Sequence, residues 1–212
     1  MVRSDIRNLA LYWLDDIDGG YFTPTQMNVF INNAQREVQK QLIQAGQNYY
    51  LKRSETLTVV GQADYILPSD FLKSHRLEWI DSGTGTNESR VQIYPITVNQ
   101  QNYTTPALGI PAHYSILQDR FTLYPTPESA KTIRLFYSYR VTDMSADSDT
   151  PDVPSDYHEY IAILAAMDGF VKDDRAPSNL ITKMAGYKTL MTQMADDRRQ
   201  DRSRRVLITD DY

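Results

Sequence analysis

The chain has 212 residues, a formal net charge of −5 and no cysteine. A chain of this length buries a core as one domain, or as one domain with an insertion. The lack of cysteine excludes disulfides, thiol nucleophiles and cysteine-ligated zinc. No apolar run approaches the roughly 20 residues of a membrane helix, and the first residues lack the apolar core of a signal peptide. We therefore expect no membrane partner.

Two helices are predicted at the N-terminal end. The first covers residues 4–17, where apolar residues recur at the spacing of one helical face, and an acidic, glycine-containing stretch ends it. The second has the clearest start signal in the sequence. Thr23 is placed as its N-cap, Pro24 takes the first helical position, and Gln26 closes a capping box on Thr23. Gly46 is expected to end this helix.

The pattern changes at residue 55 and stays changed to residue 141. Short β-branched or aromatic runs alternate there with glycine- and proline-containing turns, which is typical of strands. We predict a small antiparallel β-sandwich or barrel for this segment. The runs expected to form strands are 57–60, 64–67, 76–80, 91–94, 112–117, 120–124 and 132–137.

The helical pattern returns after an acidic, polar stretch at residues 142–152, which we interpret as a solvated linker. A third helix is predicted next, with Ser155 or Asp156 as its N-cap and Glu159 closing a capping box. A fourth helix is predicted over residues 178–202. Its apolar residues alternate by four and three, as in a coiled-coil seam; they are Leu180, Met184, Tyr187, Met191 and Met194.

These elements together predict an α+β fold. Residues 1–54 and 142–205 are expected to form an antiparallel bundle of four helices. Residues 55–141 are expected to form a β insertion domain within it, and residues 206–212 a C-terminal tail. We see no internal repeat.

The sequence carries none of the common motifs of catalysis or cofactor binding. It has no P-loop, dinucleotide fingerprint or nucleophile elbow. Its three histidines, His75, His113 and His158, lack metal-ligand spacing. His158 stands beside Asp156 and Glu159, but we interpret this cluster as a helix N-terminal cap with an incidental imidazole. The alternating aspartates of residues 143–152 lack the order of an EF-hand. We therefore predict a protein that is not an enzyme and that holds no metal or cofactor.

The C-terminal end combines many charges with a short apolar run. One interpretation is docking to an acidic partner; another is a solvated helix face with pairs at i,i+3 and i,i+4. Nucleic-acid binding ranks third, because aspartates interleave with the arginines and the net charge is negative. Docking ranks first. The candidate docking residues are Arg198, Arg199, Arg202, Arg204, Arg205, Val206, Leu207 and Ile208.

Four stretches carry a further signal through their order along the chain. They are GGYFT at 19–23 with INNAQREV at 31–38, ADYILPSDFL at 63–72, FTLYPTP at 121–127, and VPSDYHEYI at 153–161. Each alone is turn or cap chemistry that any fold uses. In this order they resemble the head-to-tail adaptor, or connector, proteins of tailed bacteriophages, particularly the podovirus type with a β insertion.

The resemblance implies a structural protein at the head–tail junction of a virion, assembled in the host cytoplasm. It implies a ring of subunits, a dodecamer, bound beneath the portal protein. Such a ring extends the DNA channel, lets genomic DNA pass without sequence-specific binding, and offers an attachment surface to tail, nozzle or fibre proteins. It also implies that the C-terminal helix and tail reach the portal.

Two other functions remain open from the sequence. The first is a nucleic-acid-binding protein that uses the arginine-rich terminal helix, for which salt-sensitive duplex binding would be the sign. The second is a tail or baseplate module that binds a partner or a glycan. A pocket lined by tyrosine and tryptophan in residues 55–141 would favour that alternative.

Overall fold

The computed structural model describes residues 1–18, 20–46, 48–83, 85–97, 100 and 107–203. Contacts divide the chain into two compact units. The helical unit consists of Met1–Tyr49 with Val141–Tyr212, and the β unit of Tyr50–Arg140. The helices of the first unit are α1 (Arg3–Leu14), α2 (Pro24–Gln44), α3 (His158–Lys172) and α4 (Ser178–Ser203). None of the helices in these described ranges has the length and hydropathy of a membrane span.

Nine strands lie in the described part of the β unit. They are β1 (Leu51–Leu57), β2 (Asp64–Ile66), β3 (Phe71–Ser82), β4 (Ser89–Pro95), β5 (Leu108–Gly109), β6 (His113–Leu117), β7 (Arg120–Tyr124), β8 (Thr126–Pro127) and β9 (Thr132–Tyr139). Seven of them form one sheet in the order β1-β9-β3-β4-β6-β7-β2, and β5 pairs with β8. β4 and β6 run parallel, whereas the other neighbours in the large sheet are antiparallel.

The structure is consistent with an α+β class but corrects both parts of the predicted architecture. The prediction of a four-helix bundle is wrong: α1, α2 and α3 pack against one another, whereas α4 packs chiefly against α3. The prediction of a small antiparallel sandwich or barrel is also wrong, because the unit holds a seven-stranded mixed sheet. Short apolar runs reveal strands, but they carry no information about the direction in which distant strands pair.

The predicted start of the second helix is confirmed. The Thr23 hydroxyl oxygen accepts a hydrogen bond from the Gln26 N–H at 3.3 Å, and the Gln26 side chain accepts one from the Thr23 N–H at 3.3 Å. Gly46 follows the helix with φ +80°, in the left-handed region that favours glycine. The first helix ends earlier than predicted, at Leu14, because Asp15 takes the left-handed conformation that stops it.

The third helix begins differently from the prediction. A 3₁₀ turn at Ser155–Tyr157 leads into α3, and no side chain caps the helix, so the predicted capping box is wrong. The Glu159 carboxylate instead accepts hydrogen bonds from Lys183 and Tyr187 of α4, at 3.2 and 2.8 Å. The range of the fourth helix is confirmed. Of its seam, Leu180 and Met191 are buried, Met184 and Tyr187 are half-buried, and Met194 has no described side chain.

Residues 141–153, which we call the linker segment, are not the solvated linker that their composition predicts. Within the predicted linker, residues 142–152, Met144 and Pro151 are buried, and so are Val141 and Val153 at its two ends. Two of its acidic side chains, those of Asp143 and Asp147, bind arginines of the helices. Asp147 pairs with both Arg3 and Arg7 at 2.8 Å, and these bonds hold its pKa well below the usual range. The segment is therefore packed onto the helices through apolar and charged contacts together.

Amide side chains of α2 fix the backbone of the linker segment. The Asn32 amide accepts from the Met144 N–H at 3.0 Å and donates to the Met144 carbonyl at 3.2 Å. The Gln35 amide donates to the Thr142 carbonyl at 2.9 Å and accepts from the Asp152 N–H at 3.2 Å. Each amide thus satisfies two backbone groups that would otherwise lose their bonds to water.

A third amide completes this row. Gln39 accepts from the Val141 N–H at 3.2 Å, and it is 2% exposed, while Gln35 is fully buried. Spacings of three and four residues place Asn32, Gln35 and Gln39 along one face of α2. We call these three residues the amide ladder. It binds residues that are more than a hundred positions away in the sequence.

The β unit has its own apolar core on one face of the large sheet. Leu77 and Trp79 of β3 pair in register with Leu135 and Ile133 of β9, and all four are buried. β1 begins at residue 51, earlier than the predicted first run, and lies at an edge of the described sheet. Alternation along β3 and β9 explains this face, since every second side chain points to the same side.

Charged side chains occupy the other face of the same strands. Arg134 of β9 donates to Glu55 at 2.8 Å and makes two bonds to Glu88, at 2.7 and 3.0 Å. Arg90 donates to the same Glu88 carboxylate at 2.9 Å. These arginines lower the pKa of Glu88 to about 2, mainly through the bonds from Arg134. The outer face of the sheet is therefore organised by ion pairs between strands.

Candidate assembly interface

An open groove with a volume of about 540 Å³ lies between α2 and α3, with α4 at its side. It is open because α4 rests chiefly on α3 and does not cover the neighbouring surface of α2. The groove has an apolar lining and a polar rim. The apolar residues are Ala34, Leu164, Met167, Val171 and Met184, and the polar ones are Asn33, Arg36, Glu37, Lys40 and Asp168. Grooves of this kind bind helices of partner proteins through their apolar faces.

Most charges at the rim already have partners within the chain. Arg36 pairs with Asp143 at 3.0 Å, and Lys40 pairs with Glu37 at 3.5 Å. Asp168 differs, because its carboxylate has no hydrogen bond or ion pair with any described residue. Partial burial raises the pKa of Asp168, since no neighbouring charge offsets the lost hydration. The groove thus contains one anionic group that a cation from a partner would stabilise.

The exposed side of α4 is the second surface of interest. Ile181, Ala185, Lys188 and Thr192 are exposed and follow helical spacing, so they form one stripe, which we call the α4 flank. The Thr192 hydroxyl donates to the Lys188 carbonyl at 3.1 Å, so it does not depend on water for a partner. The ammonium group of Lys188 makes no hydrogen bond or ion pair with the side chains that the structure describes. The stripe is therefore weakly polar apart from one available cation.

His158 belongs to the packing of the helical unit. It is 4% exposed; its Nε2–H donates to the Val153 carbonyl at 3.0 Å, and Nδ1 lies 3.0 Å from the Met1 amino group. Burial lowers the pKa of His158. The nearby Glu159 is engaged with α4, so these two residues do not form an acid–base pair. The interpretation as a helix N-terminal cap beside an incidental imidazole is wrong, because no side chain caps α3 and the His158 ring is buried and hydrogen-bonded.

One histidine–serine contact resembles the first half of a catalytic pair. His75 Nε2 lies 2.7 Å from the Ser138 hydroxyl in the β unit. Ser138 is 3% exposed, so a substrate would not reach its oxygen atom. A nucleophile also needs a base that a third group orients, and no carboxylate bonds to the His75 ring within the described residues. This contact therefore holds two strands together.

The described residues contain no cluster of three or more histidine, cysteine or carboxylate side chains that would hold a metal ion. The aspartates of the linker segment have other roles. Asp149, for example, accepts hydrogen bonds from the Ser145 and Ala146 N–H groups at 2.7 and 2.8 Å. These bonds between a side chain and nearby backbone groups shape the turn at residues 145–149.

The predicted docking residues lie at the C-terminal limit of the described structure. Arg198, Arg199 and Arg202 belong to α4, but their side chains are not among those described. The remaining predicted residues, Arg204, Arg205, Val206, Leu207 and Ile208, lie outside the described residues.

Sequence reasoning missed the groove and the α4 flank. Asp168 was not singled out, because one acidic residue on a helix usually faces water. The sequence offers no signal that it lacks a partner, because Lys172 stands four positions on, where an ion pair with Asp168 would be expected. Lys172 instead bonds to Gln26 at 3.1 Å.

One comparison with known proteins gives a result over nearly the whole chain. The family model described as SU10 adaptor protein matches residues 3–209. No curated protein matches the chain.

Proposed function

The chain belongs to the SU10 adaptor protein family, and we propose that it is a structural adaptor at the head–tail junction of a tailed bacteriophage virion. The observation that carries this proposal is the family match over residues 3–209, which includes the helical unit and the β unit. The match confirms, at the level of the family, the resemblance to phage head-to-tail adaptors.

The adaptor acts as a ring of identical subunits, a dodecamer, beneath the portal. The ring extends the DNA channel and provides the surface to which tail, nozzle or fibre proteins attach. A cyclic ring needs two different surfaces on each subunit that fit one another. The groove and the α4 flank, both on the helical unit, supply two such surfaces. The resemblance to ring-forming adaptors supports this proposal.

Genomic DNA passes through the ring without sequence-specific contacts. Each subunit contributes a net charge of −5, so the assembled ring is strongly negative. A negative channel wall repels the phosphate backbone and keeps DNA mobile over distances within the Debye length. The protein has no catalytic role in this account, since an adaptor positions other components and performs no reaction on them.

The C-terminal residues bind the portal. The arginines at 198, 199, 202, 204 and 205 steer this end of the chain toward an acidic portal surface and accelerate encounter. Val206, Leu207 and Ile208 are β-prone, so they add as a strand to an exposed sheet edge, where main-chain hydrogen bonds supply affinity.

Deletion of residues 203–212 tests this proposal. The truncated chain keeps all the buried core residues of the described structure, so it should fold with unchanged circular dichroism and melting temperature. Its affinity for purified portal protein, measured by biolayer interferometry, should fall at least about tenfold. A matched control replaces Asp210 and Asp211 with asparagine, which leaves the arginines and the apolar run in place and should preserve binding. Portal binding by the truncated chain at full affinity would contradict the docking role.

A further inference from the structure

The groove of the helical unit exposes apolar surface that its own helices leave uncovered. Val171 is 77% exposed at one end of the groove, and Leu164 and Met167 are only half-buried along it. Uncovered apolar side chains that lie next to one another on a helical surface mark sites of protein association. The shape, an open trough between two helices, fits a third helix with an apolar stripe.

The charged side chains of the helical unit indicate which helix binds in the groove. Most of the lysine and arginine side chains described in this unit have hydrogen bonds or ion pairs within it. They are Arg3, Arg7, Arg36, Lys40, Lys172, Arg175 and Lys183. Among the described side chains of this unit, Lys188 is the cation that has none. Asp168 is correspondingly the unpaired carboxylate that lines the groove. The two groups are complementary in charge.

Asp168 and Lys188 cannot meet within one copy. The bonds of Glu159 to Lys183 and Tyr187 fix how α4 lies along α3, and they place Lys188 near the start of α3. Asp168 is nine residues beyond Glu159 on α3, which corresponds to about 14 Å along the helix axis. That separation exceeds the reach of a lysine side chain. Both side chains are exposed in one copy, so only a second copy can bring them together.

We propose that the groove of one copy binds the α4 flank of a second copy, with Lys188 of the second copy pairing with Asp168. Ile181 and Ala185 of the flank then cover the apolar lining of the groove. The small side chain of Ala185 permits close approach of the two helices. The groove and the flank are different surfaces, so the contact is head-to-tail, and repeating it closes a ring or extends a filament. This inference rests on the proposed ring and specifies its subunit contact.

Charge reversal and charge exchange test the contact in the full-length chain. Self-assembly is measured by native mass spectrometry and sedimentation velocity across a concentration series, with and without portal protein. Asp168→Lys and Lys188→Glu should each raise the concentration at half-assembly at least about tenfold, and Asp168→Asn should raise it less. Asp168→Lys combined with Lys188→Glu restores the pair in reversed order and should restore assembly. Asp18→Lys, the same charge change at an exposed position outside the groove, should assemble normally.

The outcomes separate this inference from the proposed function. Normal assembly of Asp168→Lys, or no recovery in the double variant while both single variants fold by circular dichroism, overturns the contact. A natural chain that stays monomeric at every concentration, with and without portal protein, also overturns it. A chain that assembles and responds to these variants but never binds portal protein supports the contact and contradicts the adaptor function.

Discussion

The amide ladder of the helical unit and the Arg134 cluster of the β unit satisfy buried polar groups in different ways. In the helical unit, the amide ladder binds the backbone of a segment more than a hundred residues away in the sequence. In the β unit, Arg134 binds Glu55 and Glu88 on and beside neighbouring strands, so charged side chains satisfy one another over an apolar core. A side chain that satisfies backbone groups has no substitute nearby when it is removed. The helical unit should therefore depend strongly on single polar residues, and the β unit on its apolar core.

The largest effect should come from the core of the β unit. Trp79 is fully buried and packs in the apolar cluster between β3 and β9. Trp79→Ala should lower the free energy of unfolding by about 3–5 kcal/mol, through lost burial and the cavity that remains. Urea denaturation measured by circular dichroism checks this. Trp79→Phe is the control, and it should cost much less, since the indole N–H has no partner among the described residues. A loss near zero for Trp79→Ala would show that this cluster does not stabilise the unit.

The next largest effect on the free energy of unfolding should come from the amide ladder of the helical unit. Gln35→Ala removes the two hydrogen bonds to the linker segment and leaves the Thr142 carbonyl and the Asp152 N–H without them. We expect a loss of roughly 2–4 kcal/mol in the free energy of unfolding. Gln44→Ala, at an exposed position of the same helix, should change it by less than about 0.5 kcal/mol. Equal effects of the two substitutions would contradict the role of the amide ladder.

A smaller effect belongs to the start of α2, which is a local feature of the helical unit. Thr23→Ala removes the capping bond to the Gln26 N–H and should cost about 1 kcal/mol. Thr25→Ala, two residues on and without a described side-chain bond, serves as the control. An unchanged midpoint of chemical denaturation for Thr23→Ala would count against the cap as a source of stability.

The smallest effect is a dependence on pH. Burial lowers the pKa of His158 below its ordinary value of 6.5, so the folded state resists a proton that the unfolded state binds. The stability contributed by the neutral histidine is complete above about pH 6.5 and falls as the pH drops toward the lowered pKa. In His158→Gln, this part of the decrease should disappear from melting temperatures measured between about pH 7 and pH 5. A decrease of the same size in His158→Gln would contradict this prediction.

Local features of this chain could be predicted from its sequence, and features that depend on distant contacts could not. The start of α2 is encoded within a few residues, because Thr23, Pro24 and Gln26 satisfy one another. The parallel pairing of β4 with β6 is a contact between strands that a hairpin does not join, and the sequence pattern of either strand does not indicate its direction.

The amide ladder and the candidate interface also depend on contacts between distant parts of the chain, so the sequence did not predict them. The amide ladder was missed because glutamine and asparagine on a helix are typical of an exposed face, and only the linker segment makes that face buried. Asp168 and Lys188 each have the sequence signature of an ordinary surface charge. Their significance comes from lacking partners among the described residues, which is known only once α2, α3 and α4 are placed together.

Electron cryomicroscopy of the full-length chain mixed with the portal protein of its own phage tests the adaptor function most directly. We predict a closed ring of this chain seated coaxially on the portal, with α4 of each subunit in the groove of its neighbour and the C-terminal residues on the portal. A portal without bound subunits, alongside a chain that remains monomeric at all concentrations, would contradict the account.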